Sequence, residues 1–268
     1  MKMSLLLQLT LLGLAFYLFC VLFMYLSQDS QLFYPPAADH SGETDERLVA
    51  YQLVREEATL KGWLVNPAYA REKLLVYYGG NAEDIFYTLD EFRDIQAASL
   101  FVSYRGYGPS SGRPSEAALF ADALAVLDDI RGRHTPRQTF LLGRSLGSGV
   151  ASFVAASREV SGVVLITPFD SMVNLARQHY PWLPVGMLLR HRFDSVQHLA
   201  GVRAPLLIIY GGKDQVVPPV RTENLIRHIP GGQRVLYLEH ADHGNVDLFP
   251  EYWPAVLNFI NRDESGSP

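Results

Sequence analysis

Phe140-Leu141-Leu142-Gly143-Arg144-Ser145-Leu146-Gly147 is the stretch on which the fold of this chain turns. An apolar run of strand character enters a G-x-S-x-G turn, and Ser148-Gly149-Val150-Ala151-Ser152 continues it as a helix of small residues. A serine hydroxyl is free to attack only when it projects from a tight strand-to-helix turn, and flanking glycines give such a turn room. The helix start behind the serine adds positive potential and free N–H groups where an oxyanion would form. By composition alone the bare pattern arises in about one such chain in ten. The flanking strand and helix are therefore what raise Ser145 to a candidate nucleophile.

Outward from this turn, short β-like runs alternate with amphipathic runs. Strands are expected over 48–54, 59–65, 73–78, 100–104, 139–142, 162–166, 206–210 and 234–238, the later ones continuous in apolar residues as in strands covered on both faces. Between them, Leu119, Ala123, Val126, Leu127 and Ile130 recur at helical spacing after Pro114-Ser115, with Glu116 in the first turn where the helix dipole favours an acid. The alternation predicts an α/β fold: a mostly parallel twisted sheet with helices on both faces.

A partner set for Ser145 lies downstream. Pro205-Leu206-Leu207-Ile208-Ile209-Tyr210 reads as a buried strand, and Gly211-Gly212-Lys213-Asp214 follows at its C-terminal end, where open α/β sheets present functional groups. After the strand at 234–238 comes Glu239-His240-Ala241-Asp242-His243-Gly244-Asn245. A histidine there can take the serine proton and return it to the leaving group, while an aspartate fixes its tautomer. His243, further from the strand and before a glycine, is preferred to His240 as base. Asp214 is preferred to Asp170, which also follows a strand but reads equally as a helix N-cap. The two histidines lack an H-E-x-x-H helix or a third ligand, so no metal and no cofactor is expected. Gly79-Gly80-Asn81, after an early strand, can offer a backbone N–H to an oxyanion, and the N–H of Leu146 is its natural companion. The glycines of Tyr104-Arg105-Gly106-Tyr107-Gly108 suit a turn.

The N-terminus is of another kind. From Leu5 to Leu26 the sequence is apolar and uncharged, and at ~1.5 Å per helical residue it spans roughly 30 Å, a bilayer core. The run exceeds the apolar region of a cleaved signal, and no A-x-A-like site follows it, so residues 1–27 are read as an uncleaved anchor. Residues 28–46, with Pro35, Pro36, Ser41 and Gly42, read as a linker; 47–262 as the catalytic domain; 263–268 as a flexible tail. Lys2 before the anchor and Asp29 and Glu43 to Glu46 after it put the N-terminus in the cytoplasm and the domain on the outer, periplasmic or lumenal, side. The single cysteine, Cys20, lies inside the anchor, so no internal disulfide forms. A net charge of −5 without a dense Lys/Arg run excludes a nucleic-acid surface.

Taken in order, Tyr78-Gly79-Gly80-Asn81-Ala82, Tyr104-Arg105-Gly106-Tyr107-Gly108, Gly143-Arg144-Ser145-Leu146-Gly147, Gly211-Gly212-Lys213-Asp214 and His243-Gly244-Asn245 closely resemble the single-pass membrane-anchored α/β-hydrolase-domain serine hydrolases. These are related to the serine aminopeptidase and prolyl oligopeptidase type. The resemblance covers roughly residues 30 to 260, including Gln31-Leu32-Phe33-Tyr34-Pro35. It implies an α/β-hydrolase fold, a Ser145–Asp214–His243 triad, and oxyanion N–H groups from Asn81 and Leu146. It departs at Gly79, where the family usually has a histidine. Relatives of this type cleave esters, thioesters or amides of acyl groups, so a small or lipid-like acyl substrate is expected. The stretch from Asn174 to Arg192 is where this fold often inserts a cap, and Tyr180, Trp182 and Met187 are its expected substrate contacts, unless the segment is an ordinary core helix. Two other readings stand beside the esterase: a peptidase acting on short peptides, and a catalytically silent membrane-tethered binding protein.

Overall fold

The computed structural model describes residues 4–37, 40 and 46–261. Lys2, Glu43 and the tail at 263–268 lie outside the described residues, as does most of the expected linker beyond residue 37.

Among the described residues, eight strands form one sheet: β1 Leu48–Val54, β2 Thr59–Val65, β3 Lys73–Tyr78, β4 Ala98–Val102, β5 Gln138–Arg144, β6 Gly162–Ile166, β7 Leu206–Gly211 and β8 Arg234–Leu238, in the order β1-β2-β4-β3-β5-β6-β7-β8. β1–β2 and β2–β4 pair antiparallel, and every later pair is parallel. The apolar runs have two destinations. Leu74, Val76, Leu141, Val163 and Leu165 enter the core on one face, while Leu75, Tyr77, Leu142, Val164 and Ile166 enter the core on the other. That period of two, buried on both sides, is why these strands read as unbroken hydrophobic stretches. β4 begins and ends two residues earlier than expected, because Gly62 pairs with Val102 and the chain then leaves the sheet. Tyr104 instead turns its hydroxyl to the Gly79 carbonyl, 2.9 Å away.

The helices are α1 Leu5–Leu32, α2 Glu116–His134, α3 Leu146–Ser157, α4 Met172–His179, α5 Val185–Leu188, α6 Ser195–Leu199, α7 Pro219–His228 and α8 Tyr252–Ile260. α2 starts where a cap residue permits, with the Ser115 hydroxyl accepting from the Ala118 N–H. The Glu116 carboxylate accepts from the N–H groups of Arg192 and Phe193, both at 2.7 Å, and so ties α2 to the end of the cap segment. β4 and β5 lie on opposite sides of β3. The sheet therefore opens a crevice at the C-terminal ends of β3 and β5, the position at which open α/β sheets bind ligands.

α1 is long and apolar enough to cross a membrane. It continues to Leu32, five residues past the expected end of the anchor and into the stretch read as a linker. The reason is packing. Cys20, Val21, Met24, Ser27, Gln28, Gln31 and Leu32 recur at helical spacing and are partly or fully covered by the rest of the protein. Gln28 is buried, donating to the Leu188 carbonyl and accepting from the Arg190 N–H at 2.8 Å. Asp29 pairs with Arg190 and His191, both at 2.9 Å. Residues 33–37 are likewise held to the domain: Phe33 is buried against the His191 ring, and the Pro36 carbonyl accepts from Gly108.

Candidate active site

The end of β5 and the start of α3 put Ser145 on the sharp turn that its glycines imply. Its backbone stands at φ 51° and ψ −116°, a conformation most side chains avoid. Both glycines are needed because backbone crowds them. A Cβ on Gly143 would lie 2.4 Å from the Gly147 carbonyl oxygen, and one on Gly147 would lie 2.0 Å from that of Tyr78. The strained turn is held by ordinary bonds, with Ser145 N–H donating to Ile166 and the Ser148 hydroxyl donating to the Ser145 carbonyl.

Ser145, His243 and Asp214 come together. His243 Nε2 stands 2.9 Å from Ser145 Oγ, and its Nδ1 stands 2.7 Å from Asp214 Oδ2. Asp214 is buried at the end of β7, and its other oxygen accepts from the N–H groups of Val216 and Val217 at 2.9 and 2.8 Å. A carboxylate fixed in this way leaves Oδ2 free for the imidazole and holds the Nδ1–H tautomer. His240 is exposed on the loop surface. Asp170 is fully buried but engaged elsewhere, by Ser171 N–H, Asn174, Arg221 and Asn224. It is not the cap of α4; Ser171 is, accepting from the Asn174 N–H.

The loop after β3 faces this group. Asn81 and Leu146 line one cavity with Ser145, and neither of their backbone N–H groups donates to a protein acceptor among the described residues. For Leu146 this follows from its place as first residue of α3. The Asn81 side chain is a clamp: it accepts from Tyr34 N–H and from the Tyr107 hydroxyl, and donates to the Leu32 carbonyl at 2.7 Å. At Gly79, where the resemblance implies a histidine, a Cβ would sit 2.7 Å from the Ile85 side chain. Glu83 braces the loop instead, accepting from Gly80 N–H, the Tyr77 hydroxyl and the Thr88 hydroxyl. Burial pushes the Tyr77, Tyr104 and Tyr107 phenols well above their ordinary range, so each stays protonated as a donor to this loop. The turn at 104–108 is therefore a brace, itself anchored by the buried pair Arg105–Asp122.

The cavity has a volume of about 270 Å³ and mostly apolar walls. α3 and α4 supply one side and the cap around α5 another, with Tyr180, Leu183 and Leu188; Met24, Tyr25, Gln31 and Leu32 of α1 close it. Of the three expected substrate contacts only Tyr180 lines it. Trp182 and Met187 do not, and both are exposed on the outside of the cap, because α5 turns its Val185 and Leu188 inward. Sequence reasoning missed the contribution of α1, since an apolar run long enough for a bilayer gives no sign that one face lines a pocket. It also missed Arg144, which makes long contacts to the His243 and Gly244 carbonyls and pairs with Asp247 at 3.6 Å. Nothing in its local sequence marks that role.

Residues 110–248 match the family described as Alpha/beta hydrolase domain. This chain belongs to that family. The α/β-hydrolase chain is 37% identical over 151 residues to an uncharacterised Mycobacterium tuberculosis protein, which covers 56% of this chain and 54% of the relative. It thus spans about half the length of that curated relative. It is 28% identical over 250 residues to an uncharacterised membrane protein of Saccharomyces cerevisiae, covering 86% of this chain and 88% of that one. A Pyrococcus furiosus esterase shares the fold, with a TM-score of 0.69 at 17% identity over 85% of this chain and 98% of the esterase chain. Family and neighbours agree on the α/β-hydrolase fold, and α1 is long and apolar enough to cross a membrane.

Proposed function

We propose that this protein is a membrane-anchored serine hydrolase that cleaves carboxylic esters or thioesters through an acyl-enzyme on Ser145. The observation that carries the reading is the continuous chain Asp214–His243–Ser145, with contacts of 2.7 and 2.9 Å, opening into an apolar cavity.

In this reading His243 Nε2 takes the Ser145 proton as Oγ attacks the acyl carbonyl, and Asp214 stabilises the resulting imidazolium. The tetrahedral oxyanion is met by the N–H groups of Asn81 and Leu146. His243 then gives its proton to the leaving oxygen or sulfur. A water, deprotonated by the same nitrogen, releases the acid and restores Ser145. Tyr180 and the apolar wall around it hold the acyl chain. The chain needs no metal or cofactor for these steps. α1 spans the bilayer with its N-terminus on the cytoplasmic side and the domain on the other, a side that protease protection in sealed vesicles reads directly.

Labelling of the full-length protein by a fluorophosphonate probe tests the activity. Wild type labels, whereas Ser145→Ala and His243→Ala do not. Absence of labelling in folded wild type returns the silent-scaffold reading. Labelling together with turnover of short peptides in preference to acyl esters returns the peptidase.

A further inference from the structure

The cap carries a surface that the proposed chemistry does not use. From 180 to 189 it reads Tyr-Pro-Trp-Leu-Pro-Val-Gly-Met-Leu-Leu, without a charge. Arg177 and His179 precede this tip, and Arg190 and Arg192 follow it. Leu183 and Leu188 face the cavity, but Trp182 is 50% exposed and Met187 89% exposed on the opposite side. An apolar tip between basic bases is the composition of an element that rests in a lipid leaflet, its cations at the headgroups.

The position of the tip points the same way. The Tyr17 hydroxyl of α1 donates to the Trp182 carbonyl at 3.3 Å, and Gln28 bonds Leu188 and Arg190. The cap therefore runs along α1 from Gln28 back to Tyr17, eleven residues or about 16 Å of helix. The apolar run of α1 extends to Leu26, so the Tyr17–Trp182 contact lies nine residues, about 14 Å, inside it. A helix placed across a bilayer by its apolar length carries that contact below the headgroups. The cavity that ends at Ser145 is walled by the same two elements, with Met24 and Tyr25 on α1 facing Leu183 and Leu188 on the cap.

Resting on the reading of α1 as a span and of Ser145 as a nucleophile, we propose that the tip at 180–189 is inserted in the leaflet beside α1. The cavity between them opens sideways into the hydrocarbon. The substrate is then the acyl ester or thioester of a membrane-resident lipid-like molecule, whose chain enters without crossing water. Arg192, which donates to the Gly186 carbonyl at 3.2 Å, and Arg177, whose guanidinium lies beside Gly186, mark the level of its headgroup layer, with Trp182 below it.

The test uses full-length protein in vesicles of phosphatidylcholine with phosphatidylglycerol. In a Cys20→Ala background, Met187→Cys carries an environment-sensitive NBD label, and Tyr69→Cys, exposed at the opposite end of the sheet, carries the control. The label at 187 is expected to shift to the blue and to be quenched by doxyl-labelled phosphatidylcholine, while the label at 69 does neither. Equal, water-like emission at both sites in protein that floats with the vesicles overturns the proposal and spares the anchor. A blue shift without lipid quenching means that protein covers the tip, and overturns it too. Protein that fails to float overturns both. A second readout is Trp182→Ser with Met187→Ser, which lowers turnover of a long-chain acyl ester presented in vesicles about tenfold more than that of a short water-soluble ester. Equal loss on both substrates contradicts lateral entry even where labelling and fluorophosphonate reactivity are intact.

Discussion

Replacing Asp214 by Asn separates the proposed roles of the acid from its place in the fold. The Oδ1 of Asp214 accepts from two backbone N–H groups, those of Val216 and Val217, in a buried position. An asparagine that turned its NH2 toward them would forfeit both bonds, at about 1–3 kcal/mol each, or about 2–6 kcal/mol in all. The amide oxygen therefore stays on the backbone side and the NH2 faces His243 Nδ1. That nitrogen must then accept, which moves the imidazole proton to Nε2, 2.9 Å from Ser145 Oγ. The base is lost without disturbing the loop. Where a triad aspartate is changed in this way, kcat falls by roughly 10⁴, equivalent to about 5.5 kcal/mol of barrier. The assay is initial-rate hydrolysis of an acyl ester, beside the rate of fluorophosphonate labelling and a thermal melt. The melting temperature is expected to stay within a few degrees of wild type. Asp170→Asn is the control: its carboxylate holds Ser171, Asn174, Arg221 and Asn224, so it loses stability while keeping kcat within a few-fold. A folded Asp214→Asn that retained more than about a tenth of wild-type activity would refute the reasoning. So would a large rate loss that followed Asp170 instead.

Two further outcomes follow from the packing. Gly147→Ala places a methyl 2.0 Å from the Tyr78 carbonyl oxygen, backbone against backbone. It should cost about 3 kcal/mol or more and lower the melting temperature by roughly 6–12 °C, and an unchanged melt contradicts the close approach of α3 to β3. His198 packs edge-on against the stacked Phe120 and Phe153 rings, and burial lowers its pKa from the usual value near 6.5, against the opposing pull of Asp194 and Glu116. A lowered pKa means that the unfolded chain binds the proton first, so this part of the stability is present above pH ~6.5 and lost as pH falls through the folded value. His198→Phe should flatten that acid-side decline in melts taken from pH 7.5 to 5, and an unaltered slope rules out His198 as its source.

What the sequence determined by itself was local. Turn chemistry placed Ser145 between two crowded glycines, and apolar runs gave six of the eight strands to within one residue at each end and the other two to within two. Such features are legible because they depend on neighbours a few residues away. Tertiary structure decided what depends on distance in space. It brought His243 rather than His240 to Ser145, 98 residues away in sequence, and gave Asp170 partners of its own. It turned the start of the expected linker into an extension of α1, since Gln28 finds its partners 160 and 162 residues away in the cap. It also sent Trp182 and Met187 outward and made α1 a wall of the cavity. Hydrophobic periodicity says that a residue is covered or that a helix can span a bilayer, but not by which neighbour. Only the packing of α1 on the cap answers that.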